Sequence, residues 1–171
     1  MRFMINAMNP RWKPSVTVAA IIEREGRYLL VEEHTPEGLR LNNPAGHLER
    51  GESPLEGVCR EALEETTHRF VPSHLLGIYL SRFQRSLQDG LTEDITYLRF
   101  AFAGALGEQV AGRQLDHGIL RTVWMRPEEI RANQARCRSP LVLRCLEDHL
   151  RGQRYPLELV YTDESVQALR S

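Results

Sequence analysis

The stretch Gly46-His47-Leu48-Glu49-Arg50-Gly51-Glu52-Ser53-Pro54-Leu55-Glu56-Gly57-Val58-Cys59-Arg60-Glu61-Ala62-Leu63-Glu64-Glu65 decides how the chain is read. Its second half carries the marks of a helix. Ser53 suits an N-cap, Pro54 the first helical position, and Glu56 completes a Ser-x-x-Glu capping box. Leu55, Val58, Cys59, Ala62 and Leu63 recur at helical spacing and form one apolar face. Glu61, Glu64 and Glu65 stand at i, i+3 and i+4, which crowds their carboxylates onto one patch. Two like charges about 6 Å apart repel by roughly 3 kcal/mol at an effective dielectric of about 20. On a fully solvated helix the pair costs only about 0.2–0.5 kcal/mol. The patch is therefore either a harmless acidic face or, if partly enclosed, a place that demands protons or cations. Hard oxygen donors in this number suit Mg²⁺ or Mn²⁺.

The wider spacing favours the second reading. Gly46, then Glu52, then Arg60-Glu61-x-x-Glu64-Glu65 fixes six identities within twenty residues. This pattern resembles the signature of the Nudix hydrolases. The resemblance implies an α/β chain with the Nudix fold, an α/β/α sandwich around a mixed β-sheet, and it implies hydrolysis of phosphoanhydride bonds by metal-activated water.

Composition sets outer bounds. A length of 171 residues suits one domain with a sizeable core. The formal net charge of −1 argues against general nucleic-acid binding, which calls for a basic excess. Cys59, Cys137 and Cys145 are odd in number and lack paired zinc spacing, so free thiols in a reducing compartment are expected. No apolar run reaches the length of a membrane span, and residues 1–14 lack a signal-peptide core, so the cytoplasm is the default location. We divide the chain into an N-terminal extension (1–13), a Nudix domain (14–161) and a polar tail (162–171).

Taken in order, residues 15–22 read as a strand buried on both faces, and Glu25-Gly26 as a turn into a second strand at 27–33, the two pairing as a hairpin. A short strand at 39–42 leads to Pro44-Ala45-Gly46. After the acidic helix a break is expected at Pro72, then strands at 75–83 and 95–103. In the latter, Ile95, Tyr97, Arg99, Ala101 and Ala103 share one face. Residues 86–94 read as a surface loop able to cover a pocket, and 104–112 as a second loop. A strand at 119–125 precedes a helix opening at Pro127, and a last helix starts at Ser139-Pro140 and ends near Gly152. Residues 157–161 read as a closing strand or ordered tail, and 163–171 as frayed.

For the site, the resemblance implies that Glu64 and Glu65 are the main metal ligands. It makes Glu61 a further ligand or the base that takes a proton from water, and it completes the metal site with the Gly46 carbonyl. Glu52 and Arg60 are implied to tie loop to helix and orient the carboxylates; the alternative is an ordinary surface ion pair worth little. Asp116 is the candidate for a further acidic ligand, with Glu93 and Asp94 as rivals, and His47 and His117 are candidates for phosphate contact. One departure concerns the helix end. Family members place Gly and then an aliphatic residue where this chain has Thr67 and His68, and Thr67 resists the left-handed conformation of a glycine cap. The helix is therefore expected to run on or to end with another cap.

Further stretches resemble a bacterial phosphatase of the same family: Lys13-Pro14-Ser15-Val16-Thr17-Val18-Ala19, then Asn42-Asn43-Pro44-Ala45-Gly46-His47-Leu48-Glu49, Arg138-Ser139-Pro140-Leu141-Val142 and Gly152-Gln153-Arg154-Tyr155-Pro156-Leu157-Glu158. That likeness implies Mg²⁺-dependent phosphate release from nucleoside tri- and diphosphates and action on thiamine-pathway pyrophosphates. Leu41 replaces a Trp of that relative, so a stacking wall of the pocket is altered. Leu41, Asn43 and His47 are candidate substrate residues; Arg154 and Tyr155 are either a phosphate clamp and stacking ring or part of a tail packed for stability. The partner is a small nucleotide or pyrophosphate, and the chain a monomer or homodimer. The alternatives are an enzyme for another diphosphate, such as ADP-ribose or a dinucleoside polyphosphate, and a nucleotide-sensing domain without catalysis.

Overall fold

The computed structural model describes residues 11–86 and 90–168. Most of the expected N-terminal extension, residues 87–89 of the expected pocket loop and the last three residues of the tail lie outside the described residues. The strands are β1 (Ser15–Arg24), β2 (Arg27–Thr35), β3 (Gly38–Asn42), β4 (Ala45–His47), β5 (His68–Ser86), β6 (Thr92–Gln109) and β7 (Ile119–Met125). The helices are α1 (Pro54–Thr66), α2 (Pro127–Ala132), α3 (Leu141–Leu150) and α4 (Glu164–Gln167). Strands run in the order β3-β2-β1-β6-β5, with β4 also on β1 and β7 also on β2. Only β1 and β6 pair in parallel among the described strands, so the sheet is mixed.

The turn between β1 and β2 follows from Glu25 and Gly26, both at positive φ (53° and 73°), which suits a tight hairpin. The hairpin is only its own base. Glu23 pairs with Tyr28 and Arg24 with Arg27; beyond them β1 turns to β4 and β6 while β2 turns to β3 and β7. The sheet thus divides into two halves that part from a shared hinge, and the space between them becomes the cleft described below.

Apolar residues fill both sides of this sheet. Val18 to Ile22 are at most 1 % exposed, as a strand buried on both faces requires. On one side Val58 and Ala62 of α1 pack with Val18, Ala20, Ile22 and Phe102. On the other, Val142, Cys145 and Leu146 of α3 pack with Ala19, Ile21, Leu30 and Ala101. The result is the expected α/β/α layering.

Several local expectations are corrected. Pro72 does not break the chain: β5 runs through it, and the pairing with β6 shifts register between Pro72 and His74, a bulge that tolerates a residue without an N–H. Residues 104–109 are strand rather than loop, because Gly104 lets the two backbones close in; a Cβ there would lie 2.2 Å from the Val71 carbonyl oxygen. Leu157–Leu159 is a 3₁₀ turn, and the strand-like contact of this tail is made earlier, by Tyr155 with Leu75. Asp163 caps α4 through Ser165 instead of opening a frayed end.

The helix end is the sharpest correction. Thr67 does adopt the left-handed conformation, at φ 63° and ψ 6°. Its N–H donates to the Leu63 carbonyl at 3.0 Å, its carbonyl accepts from Val110 N at 2.9 Å, and its hydroxyl accepts from Gln109 Nε2 at 3.2 Å. Because His68 opposite Gln109 already belongs to the sheet, the chain must reverse at Thr67. These bonds offset a conformational cost of about 1–2 kcal/mol.

Candidate active site

The site is assembled where β4, its following loop and α1 meet. Both bonds of the capping box form, Glu56 N to Ser53 Oγ at 3.2 Å and Ser53 N to Glu56 Oε2 at 2.8 Å, which fixes the start of α1 and so the azimuth of its acidic residues. Arg60 grips Glu52 with Nε and Nη2 at 3.0 and 2.8 Å, and Nη2 also donates to the His47 carbonyl at 2.9 Å. Its Nη1 reaches Glu61 Oε1 at 2.8 Å and Glu64 Oε2 at 3.0 Å. One planar guanidinium therefore joins the loop, β4 and two helix carboxylates, a geometry a lysine cannot reproduce. Burial pushes Glu52 up, but the hydrogen bonds from Arg60 and from the Glu49 N–H at 2.7 Å outweigh it and hold the carboxyl below its ordinary range.

The deeper carboxylates behave oppositely. Glu65 is 9 % exposed and accepts the Ala45 N–H at 2.8 Å. Burial pushes its carboxyl up to about 8, and the charges of Glu61, Glu33 and Asp116 add to the rise against the Ala45 hydrogen bond. Glu61 is also raised, first by burial, with Arg60 opposing. Gly46 lies directly against it: a Cβ at this position would sit 2.2 Å from the Glu61 carboxyl carbon. Asp116 is held near by its N–H donating to the Glu64 carbonyl at 2.9 Å. Of its rivals, Asp94 is occupied by Arg82 at 2.8 and 2.6 Å, whereas Glu93 lines the cleft. His117 is exposed in the turn after Asp116.

Among the described residues no three His, Cys, Asp or Glu side chains already form a finished metal cage; the Arg60 guanidinium stands between Glu61 and Glu64. The donor set nonetheless fits a hard divalent cation. It is all oxygen, its most buried member is held toward its protonated form by burial first and by neighbouring negative charge second, and Glu33 Oε1 is buried without a hydrogen-bond partner. Glu33 was missed from sequence, where it read only as the end of a strand. The available signal was a carboxylate closing the apolar run Tyr28-Leu29-Leu30-Val31.

Adjoining this cluster is a cleft of about 690 Å³ between the two half-sheets. Glu33 and Asn42 line it from one half, Thr17 and Arg99 from the other, and Gly46 and His47 form the lip toward the carboxylates. His47 is exposed there, its ring 6.1 Å from that of Tyr97. Other expected substrate residues lie elsewhere. Leu41 is 1 % exposed within the core beneath α3, so it is packing and not a pocket wall. Asn43 is buried and its neighbour Asn42 takes the place in the lining. Tyr155 is tied to Leu75 by reciprocal backbone hydrogen bonds of 2.9 Å, and Arg154 lines a separate cavity with His74 and His149. The tail is thus packed for stability, and the phosphate-clamp reading of Arg154 and Tyr155 is not met in this cleft.

A sandwich with a capped acidic helix, a guanidinium clamp and a glycine pressed on a carboxylate offers the oxygen donors that metal-assisted hydrolases use. The chain belongs to the Nudix family: the NUDIX domain model matches residues 11–145. It is 37 % identical over 149 residues to the phosphatase NudJ of Escherichia coli K12, covering 87 % of this chain and 92 % of that protein. Among solved structures it resembles a NUDIX hydrolase from Nitrosomonas europaea, with a TM-score of 0.78, 48 % identity, and coverage of 89 % of this chain and 99 % of the other. A second Nitrosomonas europaea NUDIX hydrolase shares the fold at a TM-score of 0.63 and 24 % identity, over 85 % and 77 % of the two chains. The protein is accordingly a phosphohydrolase, and none of its described helices is long and apolar enough to cross a membrane.

Proposed function

We propose that the protein is a Mg²⁺- or Mn²⁺-dependent hydrolase of nucleoside di- and triphosphates and of thiamine-pathway pyrophosphates such as thiamine pyrophosphate. The observation that carries this reading is the buried Glu65 carboxylate within reach of the charges of Glu61, Glu33 and Asp116, with Glu61 lying against Gly46, beside a cleft large enough for a nucleotide. Glu61, Glu64 and Glu65 would hold the cation with the Gly46 carbonyl, and Asp116 would add a further carboxylate. A bound divalent ion supplies charge neutralisation at the phosphates and a more acidic water. Arg60 keeps Glu61 and Glu64 aimed, Glu52 keeps Arg60 in place, and Glu61, raised by burial, is the carboxylate suited to accept a proton.

The likeness to NudJ, a phosphatase, supports release of phosphate. The choice of nucleotides and thiamine-pathway pyrophosphates over ADP-ribose or dinucleoside polyphosphates is what the resemblance of the stretches 13–19, 42–49, 138–142 and 152–158 implies. The test is product identification after incubation with Mg²⁺ and a panel of nucleotides, thiamine pyrophosphate, hydroxymethylpyrimidine pyrophosphate and ADP-ribose. Orthophosphate release from the first groups is expected. Turnover confined to ADP-ribose, or activity that survives Glu65→Gln, would remove the reading.

A further inference from the structure

Arg99 has no use in the scheme above, yet it is 8 % exposed and lines the floor of the cleft. It shares a face of β6 with Ala101 and Ala103, which belong to the core. Its Nε and Nη1 atoms are buried and meet no acceptor. Glu33 and Glu65 lie near enough to favour its charge, but neither pairs with it. A guanidinium keeps its charge in a protein, so leaving one buried without a partner is costly. Three further groups share the predicament. Thr17 Oγ1, on the residue paired with Arg99 across β1 and β6, and Glu33 Oε1 and Asn42 Oδ1, from the opposite half-sheet, are buried and unpartnered, and their residues line the same cleft. Native interiors leave few such groups, and four around one cavity mark a place prepared for an occupant.

The chemistry of that occupant can be narrowed. Phosphate oxygens accept and do not donate; they would match Arg99 and meet the Glu33 carboxylate oxygen, itself an acceptor only, with no donor to offer. The cleft walls next to Arg99 include Phe83, Ile95, Tyr97 and Pro140, which offer flat apolar surface. Apolar walls over a few fixed polar groups suit a planar ring. We propose that Arg99, with the Thr17 hydroxyl and the Asn42 amide, receives the edge of a nitrogen heterocycle that carries both an acceptor and an N–H donor. This is the base-like end of the substrate, and the phosphates lie toward Gly46 and the carboxylates. The word substrate here rests on the hydrolase reading; the binding claim does not.

The experiment compares wild type with Arg99→Met by titration, in Mg²⁺, with the four common nucleoside diphosphates and with inorganic pyrophosphate. Removing an unpaired buried charge should raise the thermal midpoint of the ligand-free variant. Affinity for the preferred nucleoside diphosphate should fall about 10- to 100-fold, and affinity for pyrophosphate should stay unchanged. Arg99→Lys, which keeps the charge but loses the planar fork, should show the same selective loss and serves if the Met variant does not fold. A lower midpoint with unchanged nucleotide affinity makes Arg99 structural and overturns the proposal. So does an equal loss on pyrophosphate, which would make it a phosphate anchor, and so does a wild type that binds no nucleoside diphosphate. Wild-type turnover of the same diphosphates is scored separately: binding without hydrolysis would remove the hydrolase reading and leave Arg99 in its role.

Discussion

Glu65 shows how much one residue's surroundings alter its chemistry. Its candidacy as a ligand follows from the family resemblance, but its burial, its bond to Ala45 N–H and the negative neighbours Glu33 and Asp116 come from elements far away in sequence. Glu65→Gln keeps an acceptor for the Ala45 N–H while removing the charge. If Glu65 holds the cation as proposed, hydrolysis should fall by at least about 100-fold, since a direct ligand matters more than its supports. The metal-free variant should nonetheless melt higher than wild type at pH 8, because folding there holds the Glu65 carboxyl partly protonated, against its ordinary ionised state; a lower melting point would contradict the burial argument. Gly46 is legible as a family position, but the reason for it is spatial. Gly46→Ala would drive a Cβ to 2.2 Å from the Glu61 carboxyl, the far end of a flexible side chain. The fold should survive and turnover should drop by about 10–100-fold, as for other disturbances of ligand orientation. Arg99 was missed although its signal was present: an arginine placed by strand alternation among Ala101 and Ala103. The reverse error was Leu41, whose correspondence to a relative's Trp suggested a pocket wall that tertiary packing buries.

At the scale of elements, α1 was legible because all its determinants are local. The cap, the proline and the apolar period lie within the segment, and each is realised in the structure. Its far end was not, since the conformation of Thr67 is imposed by the start of β5 against β6. A β-branched residue at positive φ carries strain that Asn tolerates better. Thr67→Asn retains a polar partner for Gln109 and should stabilise the protein by about 1 kcal/mol in chemical denaturation. A loss of stability would show that Thr67 contributes through packing and not only through its bonds. The β5–β6 pair was underestimated for a related reason. Pro72 and Gly104 are breakers by composition, yet opposite each other in a long ribbon they accommodate a bulge and a close approach.

Across the whole molecule, most strands were readable from alternation, the short β4 and the 104–109 end of β6 excepted, but partner choice was not, because nothing local announces that β1 leaves β2 for β6 after two residue pairs. That parting creates the cleft and brings groups of opposite titration behaviour into one domain. Asp148 of α3 is 1 % exposed; burial pushes it up, but Arg144, Arg151 and the Tyr79 hydroxyl at 3.0 Å hold it below its ordinary range. Glu52 is lowered as well. Such carboxylates contribute stability above their unfolded pKa, and that contribution is lost as pH falls through the folded value. Glu65 has the reverse sign: its folded pKa of about 8 exceeds the ordinary 4.5, so the metal-free protein is penalised progressively as pH rises between the two. The metal-free protein should therefore be most stable near the ordinary carboxylate range, about pH 5, and should lose stability toward both acid and pH 8. The proposed divalent cation would bind the ionised cluster, so Mg²⁺ should raise the melting temperature little at pH 5 and markedly at pH 8, moving the optimum toward neutrality. Thermal melts in chelator and in Mg²⁺ across pH 4–8.5 measure this directly. The Mg²⁺ increment should vanish in Glu65→Gln, and an increment independent of pH would place the cation away from Glu65.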